Sequence, residues 1–390
     1  MTIKILSVDD ESDMEMLITQ RFRRQIRDKV FEFVFASNGT EALEKLEENQ
    51  DVSLVLSDIN MPEMDGLTFL SKLNDRKSPY LKAVMVSAFN DMDNIRTAMN
   101  RGAFDFVTKP INFDDLEITI TKTVQHIEML MHSQREHDQL VAIQNDLNIA
   151  QDIQQSMLPK RFPPFPHRAD FDLHAFLKAA KVVGGDLFDY LLMDDNRLFF
   201  IIGDVSDKGV PASLFMAITK AIFKSHFSSK SCGSICEEVG RVNDFLSTDN
   251  QSMMFVTAFI GILDLTTGVV EYIDAGHEPP LILRQNNQVE VLKKVGGLAL
   301  GIDSDFPYTS GTFRLEPGDT LFTYTDGVID ANNRLGERFG LQRVKDILLA
   351  ETSAARPKQI NDTLLHHIQT FIGEAAQFDD ITVLTLHYAG

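Results

Sequence analysis

A chain of 390 residues is too long for one ordinary domain and points to two or three, and 44% hydrophobic with 24% charged residues is a globular composition. A net charge of −20, from 37 basic against 57 acidic residues, argues against non-specific nucleic-acid binding, which depends on cationic neutralisation of phosphates. No apolar run approaches the ~18–20 residues that cross a bilayer, and "MTIKILSVDDE" leads into an acidic strand end rather than a signal-peptide core, so a cytoplasmic protein with no nucleic-acid or membrane partner is expected.

Residues 1–112 alternate strand-like and helix-like patterns. Apolar runs fall at 3–8, 31–36, 53–58, 82–88 and 105–110, with helical segments such as 40–49 and 93–102 between them. Strict alternation predicts a five-stranded parallel sheet wound on both faces, with ligands at the carboxyl ends of the strands. Asp9 and Asp10 end the first strand, Asp58 the third, Ser87 the fourth and Lys109 the fifth, so the topology gathers all of them at one edge. Three carboxylates there repel one another unless a hard divalent cation such as Mg2+ joins them. A carboxylate beside Mg2+ and a lysine is suited to accept a phosphoryl group, with the Ser87 hydroxyl hydrogen-bonding what it acquires.

"SVDDE", "LSDINMPEMDG", "MVSAF" and "FVTKP", in this order, closely resemble the response-regulator receiver family over about residues 3–125. The resemblance implies that Asp58 is the phosphoacceptor. It also implies that Asp10 and Asp58 bind Mg2+ directly, with Asp9 in the outer shell and the Asn60 carbonyl as a further ligand. Ser87 and Phe106 match the family's hydroxyl–aromatic switch pair, and Lys109–Pro110 would be a cis peptide. A histidine kinase is then the expected phosphodonor.

Residues 113–158 contain almost no glycine or proline. Apolar residues step by three and four at Ile120, Val124, Ile127 and Met131, and again at Leu140, Ile143, Leu147, Ala150 and Met157. The two sets differ in register across the polar "HSQREHDQ" (132–139), which predicts a stutter or a break. A solvated connector and a dimerising coiled coil both fit. The expected organisation is a receiver domain at 1–125, a helical linker at 126–158 and a further domain at 159–390, with a homodimer formed through receiver and linker helix.

Past the proline-rich "LPKRFPPFPHR" (158–168), strands are predicted at 197–205, 257–265, 280–284, 319–327 and 380–388. Helices are predicted at about 211–227, 233–247, 340–350 and 357–372. This grouping indicates an α+β layered domain. Cys232 and Cys236, at i and i+4, read as reduced residues on one helix face rather than as a disulfide or metal pair.

Four motifs in this half share an aspartate beside a glycine or turn: "VVGGDLFDY" (Asp186, Asp189), "IIGDVSDKG" (Asp204, Asp207), "TYTDGVID" (Asp326, Asp330) and "AQFDDITV" (Asp379, Asp380). An all-oxygen set selects Mg2+ or Mn2+ over zinc. A phosphate-cradling loop at 200–211 fails on spacing, because Lys208 precedes Gly-Val-Pro rather than Ser or Thr.

With "DAGHEPPLIL" and "GGLALGI", these motifs resemble the SpoIIE-like branch of the metal-dependent protein serine/threonine phosphatases (PPM) across 160–388, and "AQDIQQSMLPKRFPP" (150–164) resembles that branch's linker. The resemblance implies a β-sandwich flanked by helices, with two Mn2+ or Mg2+ ions between the sheets. Asp204 would bridge the ions and the Val205 carbonyl would bind one of them. Asp326 and Asp379 would hold the other, and Asp186 would act directly or through water. Two cations ~3.5–4 Å apart activate a shared water for in-line attack on a phosphoryl group, so no protein nucleophile is expected in this domain. Asp207 and Glu278 depart from the branch's usual glycine and asparagine, and His277 reads as a structural loop residue rather than a ligand.

The combined expectation is a response regulator whose output is a protein phosphatase, controlled by phosphorylation of Asp58. The substrate implied is a phosphoserine or phosphothreonine protein, an anti-sigma-factor antagonist of the STAS type. The alternative is a non-enzymatic adapter that binds a sigma-factor pathway protein through a phosphatase-like domain.

Overall fold

The computed structural model describes residues 2–88, 91–228, 233–351 and 356–390. They form two compact units, Met1–Ile143 and Gln144–Gly390. Cys232 lies outside the described residues, and Cys236 is a free, half-buried thiol. Among the described residues, no helix is long and apolar enough to cross a membrane.

The first unit is built on β1 (Ile3–Val8), β2 (Phe31–Ala36), β3 (Val52–Asp58), β4 (Lys82–Ala88) and β5 (Asp105–Lys109). All pairings are parallel, in the order β2-β1-β3-β4-β5. Every residue of β3 is buried, as expected for a central strand covered on both faces. Its side chains alternate between two cores: Val55 packs with Leu6, Phe69 and Met85, whereas Leu54 and Leu56 pack with Phe22, Val107 and Ile120. The register aligns the strand ends, pairing Val8 with Ser57, Asp58 with Val86 and Ala88 with Lys109. The carboxyl edge is thereby assembled by the sheet itself.

One helix runs from Phe113 to Met157. Leu116, Ile120, Val124 and Ile127 fill the receiver core, while Leu140, Val141, Ile143, Ile149 and Ile153 are exposed. The predicted break at 132–139 does not occur. That stretch is polar but lacks helix breakers, and side-chain pairs such as Gln134 Nε2 to Asp138 Oδ1 (2.8 Å) span successive turns.

The second unit contains β6 (Phe171–Lys178), β7 (Leu187–Leu192), β8 (Arg197–Val205), β9 (Val256–Asp264), β10 (Val269–Ala275), β11 (Leu281–Leu283), β12 (Val289–Val291), β13 (Gly311–Arg314), β14 (Thr320–Tyr324) and β15 (Ile381–Tyr388). They form two antiparallel sheets, β13-β10-β9-β8-β7 and β12-β11-β14-β15-β6. A core shared by both sheets contains Leu173, Phe200, Ile202, Phe259, Leu321 and Leu384. The helices Val210–Phe227 and Ile235–Ser247 cover the outer face of the first sheet through Phe223, Phe227 and Val242. Gly340–Ala350 and Pro357–Ile372 cover the second through Val344, Ile360 and Leu364. The result is the expected β-sandwich flanked by helices.

Candidate active sites

At the carboxyl edge of the parallel sheet, donor atoms of Asp9, Asp10 and Asp58 lie within 4.8 Å of one another. Lys109 sits over them, with Nζ 2.6 Å from Asp58 Oδ2, 3.1 Å from Asp9 Oδ2 and 2.8 Å from Glu11 Oε1. Burial opposes its charge, but hydrogen bonds to Asp58 and Glu11 outweigh that and hold the ammonium above the usual lysine range. Burial likewise pushes the Asp9 carboxyl up. The Asn60 amide donates to Asp58 Oδ1 at 3.3 Å, which seats residue 60 beside the cluster. Lys109–Pro110 is cis, and Phe106 on β5 packs against the Leu6–Phe69 core.

Ser87 Oγ is fully buried with no hydrogen-bond partner among the described residues. A hydroxyl left unpaired beside three carboxylates fits a pocket that receives a further polar group. The all-oxygen, mutually repelling donor set fits a hard divalent cation.

In the second unit, each aspartate motif sits at or beside a strand end. Asp186 immediately precedes β7 and Asp204 is the penultimate residue of β8; Leu187 pairs with Gly203, which brings the two carboxyls together across one sheet. Asp326 opens the short helix Asp326–Ile329 just past β14, and Asp379 and Asp380 immediately precede β15, in the other sheet. Burial, then the negative charge of Asp326, pushes Asp204 up to about 7. Asp186 is raised well above the carboxylate range by burial and by the charges of Asp204 and Asp380. Burial and Asp379 also raise Asp326. Such a set has too much negative charge for its burial, and the deficit is the one that hard cations fill.

The two adjacent acidic residues have different tasks. Asp380 Oδ1 accepts the Ala180 amide and Oδ2 the Gly185 amide, each at 2.7 Å, so this carboxylate fastens the loop that carries Asp186. Asp379 instead faces Lys208, whose Nζ lies 2.8 Å from Asp379 Oδ2, donates to the Phe378 carbonyl and rests 4.3 Å from the Phe378 ring centre. Thr325 Oγ1 donates to Asp186 Oδ2 at 2.8 Å and accepts the Thr382 amide, linking the two sheets at the site. The Val205 carbonyl lies beside Gly185, where a Cβ would approach it to 3.0 Å. Among the described residues, only the receiver carboxylates meet as three donors within 4.8 Å; the phosphatase-like set is more open, with Asp379 engaged by lysine.

Asp189 is not at the site. It forms a buried ion pair with Lys220 on the helix Val210–Phe227. Asp330 pairs with Arg338 at 3.0 Å. Asp207 has φ 68°, a left-handed conformation that aspartate tolerates better than most non-glycine residues. Glu11, Lys208 and Thr325 carry contacts that the motifs did not assign; for Lys208 the available signal was a lone cation inside the acidic "GDVSDKG".

Two expectations follow from this packing. A Cβ on Gly184 would stand 2.1 Å from Asp380 Oδ2, so Gly184→Ala should destabilise the protein by about 1–3 kcal/mol in denaturant unfolding. An unchanged midpoint would show that the Asp380 clasp is not tight. His277 is buried, with Nδ1 3.2 Å from Thr257 Oγ1 and its amide donating to Asp274. Burial lowers it from 6.5 to about 4. A depressed histidine contributes stability that is fully present above pH 6.5 and lost as pH falls toward 4, at most about 3 kcal/mol. Between pH 7 and pH 5, wild type should therefore lose more thermal stability than His277→Gln; equal losses would refute this.

The model of the family described as stage II sporulation protein E (SpoIIE) matches residues 194–389, half of the chain. The chain belongs to the SpoIIE family. A receiver-domain model matches residues 5–121, so this SpoIIE-family member pairs a response-regulator receiver with a phosphatase domain of the PPM type. It is 32% identical to Protein IcfG of Synechocystis sp. over 62% of this chain but only 41% of IcfG. It is 28% identical to the phosphoserine phosphatase RsbU of Bacillus subtilis over 65% of this chain and 74% of RsbU. The SiaA-PP2C domain of Pseudomonas aeruginosa shares the fold of the second unit, with a TM-score of 0.55 and 22% identity over 64% of this chain and 98% of that domain.

Proposed function

We propose that this chain dephosphorylates phosphoserine or phosphothreonine on a protein, under the control of phosphorylation at Asp58. The observation that carries the reading is the convergence of Asp186, Asp204, Asp326 and Asp379 from both sheets on one charge-frustrated site. In this reading Asp204, the Val205 carbonyl, Asp326 and Asp379 would hold two Mn2+ or Mg2+ ions, with Asp204 shared between them and Asp186 acting directly or through water. Bound cations of this kind supply Lewis-acid polarisation of a phosphoryl oxygen and an activated water. The chain's own residues orient that set: Thr325 fixes Asp186, Asp380 fixes the loop before it, and Lys208 neutralises Asp379.

In the receiver, Asp58 accepts the phosphoryl group from a histidine kinase. Asp10, Asp58 and the Asn60 carbonyl hold Mg2+, with Asp9 behind them. Lys109 and Ser87 bind the phosphoryl oxygens. The functional units are residues 1–125, 126–158 and 159–390, in a cytoplasmic homodimer joined through receiver and linker helix. The substrate assignment, a STAS-type anti-sigma-factor antagonist, rests on the SpoIIE-type resemblance.

The test is phosphate release by the purified chain with Mn2+, from a phosphoserine peptide and from a phosphorylated STAS protein. Release from both, faster from the protein, is expected. Tight binding of the STAS protein without Mn2+-dependent release would establish the adapter instead.

A further inference from the structure

Near the end of the helix Phe113–Met157, one polar side chain is buried. Gln154 is 7% exposed, whereas its neighbours Ile153 and Gln155 are exposed. Its carboxamide makes two hydrogen bonds to one residue on a different element: Nε2 donates to the Gly184 carbonyl at 2.6 Å, and the Gly184 amide donates to Oε1 at 3.1 Å. The next amide, that of Gly185, donates to Asp380 at 2.7 Å, and Asp186 follows. The backbone immediately before Asp186 is thus held from two sides, by the linker helix on one residue and by the β15 end on the next.

A glutamine carboxamide holds an NH2 donor group and a carbonyl acceptor in one plane, and can present the same donor–acceptor pair that a neighbouring strand would offer. It therefore satisfies a buried peptide that no strand reaches. Methionine or leucine would fill the same volume without the cost of burying an amide, so packing alone does not call for glutamine.

We propose that Gln154 is a positioning residue for the Asp186 loop, so that the placement of Asp186, and with it the affinity of the site for metal, depends on the last turns of the linker helix. The inference rests on the phosphatase reading above and adds the contact through which the linker sets the site.

Full-length Gln154→Met keeps length and burial but removes both hydrogen bonds, and Gln155→Met, on the exposed face, is its control. Gln154→Met should raise the Mn2+ concentration for half-maximal phosphate release about tenfold, the usual scale for losing a group that orients a ligand. KM for a phosphopeptide at saturating Mn2+ should move less than about twofold, because Gln154 holds the loop rather than the substrate. In the metal-free chain, amide exchange over residues 183–186 should accelerate about tenfold, with β8 unchanged. Gln155→Met should change none of these. Gln154→Glu, which turns the donor facing the Gly184 carbonyl into an acceptor, should be at least as impaired as Gln154→Met.

Unchanged Mn2+ dependence and unchanged exchange at 183–186 in Gln154→Met would overturn the proposal. So would accelerated exchange spread evenly over the whole phosphatase unit, which marks a packing role, or a Gln154→Glu variant that behaves as wild type. A wild type that releases no phosphate, while Gln154→Met still loosens 183–186, would overturn the phosphatase reading and leave the positioning contact standing.

Discussion

Asp204→Asn is expected to lower Mn2+-dependent phosphate release by more than about a hundredfold, since even groups that only orient a metal ligand cost 10–100-fold. The same substitution should leave the metal-free protein more stable than wild type. In the absence of cations, Asp204 is buried among Asp326, Asp379 and Asp380, and its carboxyl is pushed from 3.8 to about 7. A raised carboxyl means that the folded protein holds a proton which the unfolded chain has released. Wild-type stability should therefore fall as pH rises from about 4 through about 7, and asparagine, which cannot ionise, removes that loss. The difference in unfolding temperature should be near zero at pH 4 and largest above pH 7. Saturating Mn2+ should invert the order, because a ligand that binds only the folded wild type stabilises it by mass action. Activity within tenfold of wild type, or a metal-free variant less stable than wild type at pH 8, would remove Asp204 from the centre of the site.

The receiver pocket was legible because its grammar is topological. A parallel sheet brings its strand ends to a common edge, so Asp9, Asp10, Asp58, Ser87 and Lys109, from four strand ends, were readable as neighbours before any geometry was known. The phosphatase aspartates were legible as motifs, but their division of labour was not. Asp379 and Asp380 are adjacent in sequence and point to different tasks, one toward Lys208 and one toward the amides of Ala180 and Gly185. Such contacts join residues up to two hundred positions apart and leave no periodic trace.

Strands show the same limit. β8, β9, β11, β14 and β15 were read from their apolar runs. The four edge strands β6, β7, β12 and β13 were not, since an edge pairs on one side only and two of these are three or four residues long. β10 was missed although it is internal; its alternation in "VVEYIDA" follows directly on the β9 run and its turn. The unbroken helix through 132–139 shows a local preference outlasting a change of hydrophobic register, because no residue there stops a helix.

Loading Asp58 with beryllofluoride and Mg2+ is expected to shift the phosphatase rate by about 5–150-fold, the span of ordinary allosteric coupling, and to have no effect on Asp58→Asn. The argument begins at Lys109, which binds Asp58, Asp9 and Glu11 at once. A phosphoryl group on Asp58 carries about −1.5 to −2 charge where the carboxylate carried −1, and brings three strong acceptors, so it competes directly for that ammonium. The buried Ser87 hydroxyl, without a partner among the described residues, is the next donor within the same edge. Its strand pairs with the one that carries Phe106 and Lys109, so a change at Ser87 is felt on β5. The helix that buries Leu116, Ile120 and Val124 against this sheet also bears Gln154, which holds the Asp186 loop. A small change at Asp58 would bias a distant equilibrium if these links switch between discrete arrangements rather than deform continuously. The rate should be measured at a Mn2+ concentration near half-saturation, where a shift in metal affinity is most visible. Equal rates with and without beryllofluoride, in a chain whose Asp58 is shown by mass spectrometry to accept phosphate, would separate the two activities and leave the receiver acting on something other than its own phosphatase.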